Sequence, residues 1–255
     1  RDPNSFEGKY EVVGELAKGG MGTVVQARRR ADLVVVAAKK ILPQYTRDVD
    51  AVKRFDRERR ILTAVEHPNV VRVLDTYLDD QGGVIVMEYI RGGTLKSAIN
   101  DPGVPAKTLL LYFAGIVDGL RFLHEHGIVH RDLKPENVLI DGSTARISDF
   151  GLARLLDRDT TTLTMRGSFL GTRAYAAPEQ ELDSAGVTPA CDVYALGLIA
   201  FEIATRCSPY RMPINSMGLA CELHEALAKA LSPDPGQRPT DGAILLEALQ
   251  AQLLP

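Results

Sequence analysis

The chain has 255 residues, 45% hydrophobic and 25% charged, with a formal net charge of −3. That is enough apolar material for one large domain or a two-lobed unit. A slightly acidic chain argues against nucleic acid or an acidic membrane surface as partner. No apolar run approaches the roughly 18 residues of a membrane span; the longest, Val193 to Phe201, contains Gly197. Cys191, Cys207 and Cys221 form no CxxC pair and read as reduced thiols. The chain opens Arg-Asp-Pro, with no Met and no signal-peptide pattern. The reading is a cytoplasmic chain, or the cytosolic part of a larger, membrane-anchored protein.

Taken in order, the first part is rich in strands. Tyr10 to Leu16, Thr23 to Arg28 and Leu33 to Ile41 are short β-prone runs with Gly14, Gly19, Gly20 and Gly22 between or near them. Asp48 to Val65 reads as a helix, with Val52, Phe55, Ile61, Leu62 and Val65 at helical spacing and His67-Pro68-Asn69 ending it. Val70 to Leu78 and Gly83 to Tyr89 are two further strands around the turn Asp79 to Gly83. After Gly92-Gly93 the pattern turns helical. Lys107 to His126, Cys191 to Thr205, Leu219 to Leu231 and Asp241 to Leu253 are the predicted helices. Strands followed by helices predict an α+β chain in two lobes. The N-lobe covers about 1–89 and is small and β-rich with one key helix. A hinge follows at 90–93, and a larger α-helical C-lobe at 94–255.

Three segments carry chemistry. Leu16 to Val24 is a glycine-rich turn between strands, where backbone N–H groups can approach phosphate oxygens. No GK[ST] follows, so it is not a Walker loop, and a strand follows where a dinucleotide-binding loop would open a helix. Val36-Ala37-Ala38-Lys39 sets a lysine in an apolar strand, and burial there needs a carboxylate such as Glu58 on the next helix. His130 to Asn137 is a polar stretch between a helix and the apolar run Val138-Leu139-Ile140, and Asp149-Phe150-Gly151 follows the next strand. Two carboxylates and an amide after strands can offer oxygen ligands to Mg²⁺; read singly, such residues are ordinary turn formers.

Together these segments, in this order and over about Tyr10 to Leu253, resemble the eukaryotic-like (Hanks-type) protein kinase family, in the flavour of bacterial serine/threonine kinases. The resemblance implies a bilobal protein-kinase-like fold and transfer of the ATP γ-phosphate to protein serine and threonine hydroxyls. The cofactors it implies are ATP and Mg²⁺, with Mn²⁺ as an alternative metal. Ala17, Gly19 and Gly22 would cover the phosphates, and Val24 and Ala37 would roof the adenine. Lys39 would bind the α/β-phosphates and pair with Glu58. Met87 would be the gatekeeper, Glu88 and Ile90 the hinge contacts, and Leu139 the pocket floor. Asp132 would be the base and Lys134 would sit near the γ-phosphate, while Asn137 and Asp149 would hold the metal.

The resemblance also implies that Glu179 pairs with Arg238, and that Asp192 anchors the catalytic loop. Lys134, two residues after Asp132, is the serine/threonine pattern. The segment Asp149 to Glu179 would be a phosphorylation switch. Thr162 and Thr164 are its preferred acceptors and Ser168 the next, with Arg131 and Arg154 as candidate phosphate ligands. Thr172 would position substrate by bonding Asp132 and Lys134. The partners implied are protein substrates and a second copy for trans-autophosphorylation, with no nucleic acid and no membrane contact from this chain.

Two departures stand out. Ala17 occupies the place of the usual first glycine, where a methyl at a tight turn would alter nucleotide affinity. Tyr210 to Leu219 is shorter than the family's substrate-docking stretch. The alternatives are a pseudokinase scaffold, disfavoured because Lys39, Asp132 and Asp149 are all present, and a small-molecule phosphotransferase. The latter is disfavoured by Ala177-Pro178-Glu179 and Gly171-Thr172.

Overall fold

In the first 90 residues, five strands form one antiparallel sheet: short turns join the first to the second, the second to the third and the fourth to the fifth, while the third pairs with the fifth and leaves the fourth at the edge. The computed structural model describes residues 2–20, 22–43, 61–79, 82–150, 172–182, 187–209 and 218–254. The described residues form two units: one from those up to His67 and from Val71–Ile90, the other from Pro68–Val70 and from those after Ile90.

The first unit opens with a one-turn helix, α1 (Phe6–Lys9), capped by Ser5, whose Oγ accepts the Gly8 N–H at 3.1 Å. Its strands are β1 (Tyr10–Gly19), β2 (Gly22–Arg29), β3 (Val35–Ile41), β4 (Val73–Asp79) and β5 (Gly82–Glu88), in the order β1-β2-β3-β5-β4. Alternation gives the sheet two faces. Val25, Ala27, Val36, Ala38, Val84 and Val86 share one face with Phe6 and Tyr10. There Phe6 stacks on Tyr10 at 5.3 Å and meets Tyr77 edge-on at 6.0 Å, geometries that aromatic quadrupoles favour.

Two strand ends differ from expectation. β1 continues through Lys18 to Gly19, because cross-strand pairing with Gly22 to Val24 carries an exposed ladder that hydrophobic alternation does not mark. β3 starts at Val35 rather than Leu33. Leu33 has φ 62°, and Asp32 builds the turn by accepting from the Arg29 guanidinium at 2.8 and 2.7 Å and from Val34 N at 3.3 Å. Of the predicted helix at 48–65, residues 61–64 are helical, and most of the remainder lies outside the described residues.

The second unit contains α2 (Leu95–Asn100), α3 (Ala106–Glu125), the hairpin β6 (Val138–Asp141) and β7 (Thr144–Ile147), α4 (Pro178–Leu182), α5 (Ala190–Thr205), α6 (Cys221–Ala230) and α7 (Ala243–Leu253). α2 is absent from the sequence reading. It starts at a capping box in which Ser97 N donates to Thr94 Oγ1 at 3.2 Å and Thr94 N to Ser97 Oγ at 3.1 Å. α3 buries Leu109, Leu110, Phe113, Ile116, Val117, Leu120 and Leu123, the apolar set its periodicity predicts. α5 is apolar nearly all round and lies in the core.

Pro68–Val70 belongs to this unit through Asn69. Its carbonyl accepts the Ile147 N–H at 2.8 Å, and its Nδ2 donates to Ala145 O at 2.9 Å. Gly119 of α3 makes room for it: a Cβ there would stand 2.8 Å from Asn69 O. Residues 210–217, which hold most of the shortened segment, lie outside the described residues.

Candidate active site

In the first unit, strand register gathers the residues expected around a nucleotide. Val24 pairs with Lys39 and Lys39 with Ile85, while Ala37 pairs with Met87. Cross-strand partners share a face, so Val24, Ala37, Lys39 and Met87 lie together, opposite the face covered by Phe6 and Tyr10. At the β1–β2 tip Gly19 pairs with Gly22. Gly22 has φ 153° and a Cβ there would meet Lys40 O at 1.9 Å, so the fold itself requires glycine. A Cβ at Gly19 would meet only Gly22 O at 4.0 Å, so its glycine leaves open surface for an incoming group. Ala17 corrects an expectation: it lies within the β1 ladder, paired with Val24, and not at a tight turn.

Glu88 ends β5, and its N–H donates to Arg72 O at 3.0 Å while its carboxylate accepts Arg72 N–H at 2.8 Å. A bond from Glu88 to adenine would therefore use its carbonyl. Ile90 closes the unit and is half-buried. Glu58 lies outside the described residues.

In the second unit, one bonded network holds the polar segment 130–137. Asp192, 1% exposed at the start of α5, accepts His130 N–H at Oδ2 and Arg131 N–H at Oδ1, each at 2.8 Å, and the His124 ring at Oδ2, also at 2.8 Å. Burial pushes this carboxyl up, but the His124 bond, the electrostatic influence of the neighbouring His130 and His124 rings, and the His130 N–H outweigh it and hold Asp192 below the usual range. The next peptide is held by His130 itself, whose Nδ1 accepts Asp132 N–H at 3.2 Å. Its Nε2 therefore carries the ring proton and donates to Ser148 O at 2.8 Å. Arg131 takes φ 68°, a left-handed conformation that costs a non-glycine residue about 1–2 kcal/mol. Its buried Nε has no hydrogen-bond partner among the described residues.

Asp132 is 38% exposed along its side chain. Its Oδ2 accepts Lys134 Nζ at 2.8 Å and Asn137 Nδ2 at 3.1 Å. Asn137 Nδ2 also donates to Asp132 O at 2.7 Å, which turns Asn137 Oδ1 away from Asp132. Asn137 O accepts both Ser148 N–H and Ser148 Oγ, at 2.8 and 2.9 Å. Ser148 thereby ties Asp149 to the same loop. Asp149 has φ 60°, a region aspartate tolerates. Asn137 Oδ1 and the Asp149 carboxylate are hard oxygen donors, which fit a small divalent cation that takes its remaining ligands from water and phosphate. Leu139 sits at the middle of β6, half-buried between buried Val138 and Ile140, where Ile140 N bonds Gly93 O at 2.9 Å.

Beyond this loop, Glu179 and Arg238 form the expected pair, bidentate at 2.6 and 2.7 Å. Burial pushes the Glu179 carboxyl up, and the Arg238 bonds overcome it to hold it low. Gln180, Ser148 and His124 escaped the sequence reading, as did the ion pair of partly buried Lys96 with buried Glu202, with the Tyr175 hydroxyl on the same carboxylate. Partners separated by 106 residues leave no local signal. Thr172 opens a short 3₁₀ turn ending at Tyr175. Arg154, Thr162, Thr164 and Ser168 lie outside the described residues. Cys191 is buried and its thiol is pushed up, first by burial and then by the charge of Asp192, so it stays protonated.

A sheet that presents a lysine face, and a separate loop of one partly exposed carboxylate with two further oxygen donors, fit a phosphotransferase of the bilobal kinase fold. The chain belongs to the protein kinase domain family, whose model matches residues 10–250. It is 36% identical over 210 residues to the serine/threonine-protein kinase PrkC of Bacillus subtilis, covering 80% of this chain and 32% of the relative. It is 34% identical over 214 residues to the serine/threonine-protein kinase pkn2 of Myxococcus xanthus, covering 82% and 26%. The PknI kinase domain of Mycobacterium tuberculosis, solved as a mutant, superposes with a TM-score of 0.74 at 26% identity, covering 96% of this chain and 95% of that one. These relatives are named serine/threonine-protein kinases. The chain spans about a quarter to a third of the length of these curated relatives. Among the described residues no helix is long and apolar enough to cross a membrane.

Proposed function

We propose that this chain, residues 1–255 with 90–93 as hinge, is a catalytic domain that transfers the ATP γ-phosphate to serine and threonine hydroxyls of proteins, with Asp132 as base. The observation that carries the reading is the state of the Asp132 carboxylate. Oδ2 is fixed by Lys134 and Asn137, while Oδ1 has no hydrogen bond among the described residues and the side chain is partly exposed. One oxygen is pinned and the other is left to orient an acceptor hydroxyl and take its proton. The acceptor oxygen then bonds the γ-phosphorus, the bond to the β-phosphate oxygen breaks, and ADP leaves.

Lys39, paired with Glu58, holds the α/β-phosphates. Gly19 and Gly22 cover them from the β1–β2 tip, with Ala17 just before it in β1. Val24, Ala37, Met87, Glu88, Ile90 and Leu139 enclose the adenine. Lys134 neutralises charge on the transferring group, and Thr172 positions the acceptor. Asn137 and Asp149 hold Mg²⁺, with Mn²⁺ as a substitute; the metal neutralises phosphate charge. The buried Nε of Arg131, which has no hydrogen-bond partner among the described residues, supports a second element. Arg131, with Arg154, binds a phosphate added at Thr162 or Thr164, or at Ser168, by a second copy of the chain. The domain acts in the cytoplasm, with no nucleic acid or membrane contact of its own.

The test is transfer from radiolabelled ATP to a generic protein, with nucleotide titrations with and without Mg²⁺. Asp132→Asn keeps Mg²⁺-dependent nucleotide binding and loses about 10²–10⁴-fold in rate, the usual worth of a general base. Asp149→Asn weakens that binding, and Lys39→Met folds but transfers poorly. Wild-type rates in Asp132→Asn or Lys39→Met would overturn the assignment. Full activity of Thr162→Ala/Thr164→Ala, with no phosphate between Thr160 and Ser168, would remove the switch alone.

A further inference from the structure

We propose that Gln180 is a positioning residue for Asp132, tying the end of the Ala177-Pro178-Glu179 segment to the peptide that carries the base. The inference rests on the reading of Asp132 given above.

The backbone from His130 to Asp132 is held at four points. Asp192 takes the His130 and Arg131 N–H groups, and the His130 ring takes the Asp132 N–H. The fourth point is the Arg131 carbonyl, which accepts Gln180 Nε2 at 2.7 Å. Arg131 O and Asp132 N–H belong to one peptide unit, and a planar peptide gripped at both ends cannot rotate. That unit directly precedes the Asp132 side chain and follows the left-handed Arg131. A residue in such a sparsely populated conformation persists only where its surroundings over-determine it. Asp192 fixes one side of Arg131 and Gln180 the other.

The amide of Gln180 is also oriented. Its Oε1 accepts the Ala177 N–H at 2.9 Å, so its Nε2 is aimed at Arg131 O. One side chain therefore spans from the turn before α4 to the catalytic loop, beside the Glu179–Arg238 pair. A small cavity lined by Arg131, Asp132, Gln180 and Cys191 adjoins the contact. Among the described residues no other side chain is bonded to Arg131 O. A carbonyl released here lets the peptide rotate, and the carboxylate of Asp132 swings with it.

Two substitutions separate the arms of the amide. Gln180→Glu keeps an acceptor for Ala177 N–H but sets a carboxylate oxygen against Arg131 O. Gln180→Met keeps the length and loses both bonds. With phosphorylation matched by intact mass, both lower kcat by about 10- to 100-fold, the range that ångström-scale misplacement of a reacting group brings. KM for ATP and Mg²⁺-dependent nucleotide affinity stay within about 3-fold, because the nucleotide contacts are made elsewhere. Hydrogen exchange at the Asp132 amide accelerates in both. Asp132→Asn and wild type are measured alongside. Wild-type kcat in Gln180→Glu overturns the proposal, even where Gln180→Met is impaired or fails to fold, since only the Ala177 arm would then matter. A fall in melting temperature with unchanged kcat in both variants overturns it as well, as does parallel loss of nucleotide binding. A wild type that transfers no phosphate, or an active Asp132→Asn, overturns the reading of Asp132 and the inference with it. An inactive Asp132→Asn beside fully active Gln180 variants overturns the inference alone.

Discussion

Replacing Asp192 by asparagine keeps the size of a side chain on which three nitrogen donors and the Cys191 thiol converge, and removes its charge. The better amide orientation keeps the oxygen toward His130 N–H and His124 and turns the NH₂ toward Arg131 N–H, at the place where Oδ1 now accepts at 2.8 Å. That leaves a buried donor facing a donor, which costs about 1–3 kcal/mol. The remaining bonds lose their charge assistance, which adds about 1–2 kcal/mol more. Asp192→Asn is therefore expected to destabilise by roughly 2–5 kcal/mol, or about 5–15 °C in melting temperature for a chain of this size. Urea midpoints with matched slopes give the first figure and thermal melts the second. The freed N–H is that of Arg131, so kcat should fall with stability while nucleotide affinity changes little. A variant within 1 kcal/mol of wild type at unchanged kcat would refute the claim that this carboxylate supports the loop.

Among the described residues, Lys96→Met leaves the carboxylate of Glu202, 1% exposed, with only the Tyr175 hydroxyl. It should cost about 2–4 kcal/mol, and the double variant Lys96→Met/Glu202→Gln should recover part of that in urea unfolding; simple additivity would count against the pairing. Gly92→Ala places a Cβ 1.7 Å from Ile140 O, so the chain must shift where β6 is bonded to Gly93. A loss of about 1–3 kcal/mol is expected, and an unchanged midpoint would contradict it. Asp192 and Glu179 both have folded pKa values below their unfolded ones. Their contribution is complete above the unfolded values near 4 and is lost as pH falls through the folded ones. Urea midpoints should therefore drop below about pH 4, and more gently in Arg238→Met, where Glu179 has already lost its partner. Equal slopes in the two proteins would refute the Glu179 part.

Sequence made legible what repeats locally. Alternation in β2, β3 and β5 and the helical spacing of α3 are short-range patterns, and register follows from them, so Val24, Ala37, Lys39 and Met87 fall on one face. The polar run His130 to Asn137 stands out because charge between two apolar elements needs a reason. What stayed hidden depends on distance or on short length. Gln180 bonds a carbonyl 49 residues away, and a glutamine after a glutamate at a helix start looks like any solvated residue. α1 and α2 are each under two turns, too short for periodicity to register. Their caps, Ser5 and Thr94, carry a signal that became readable only with the hydrogen bonds. Leu33 looked like strand because its side chain suits one, but the Arg29–Asp32 turn decides its backbone.

The placement of Asn69 has a consequence for how such chains exchange parts. Residues 68–70 are read early in translation, yet their partners Ala145 and Ile147 come more than seventy positions later, and Gly119 is shaped to admit them. A recombinant joining residues 1–90 of one relative to the remainder of another would carry one parent's residue 69 into a socket lined by the other parent's helix and hairpin. A crossover at residue 90 therefore splits a co-adapted trio. Chimaeras that take positions 69, 119 and 145–147 from a single parent should survive at a higher rate than those that do not.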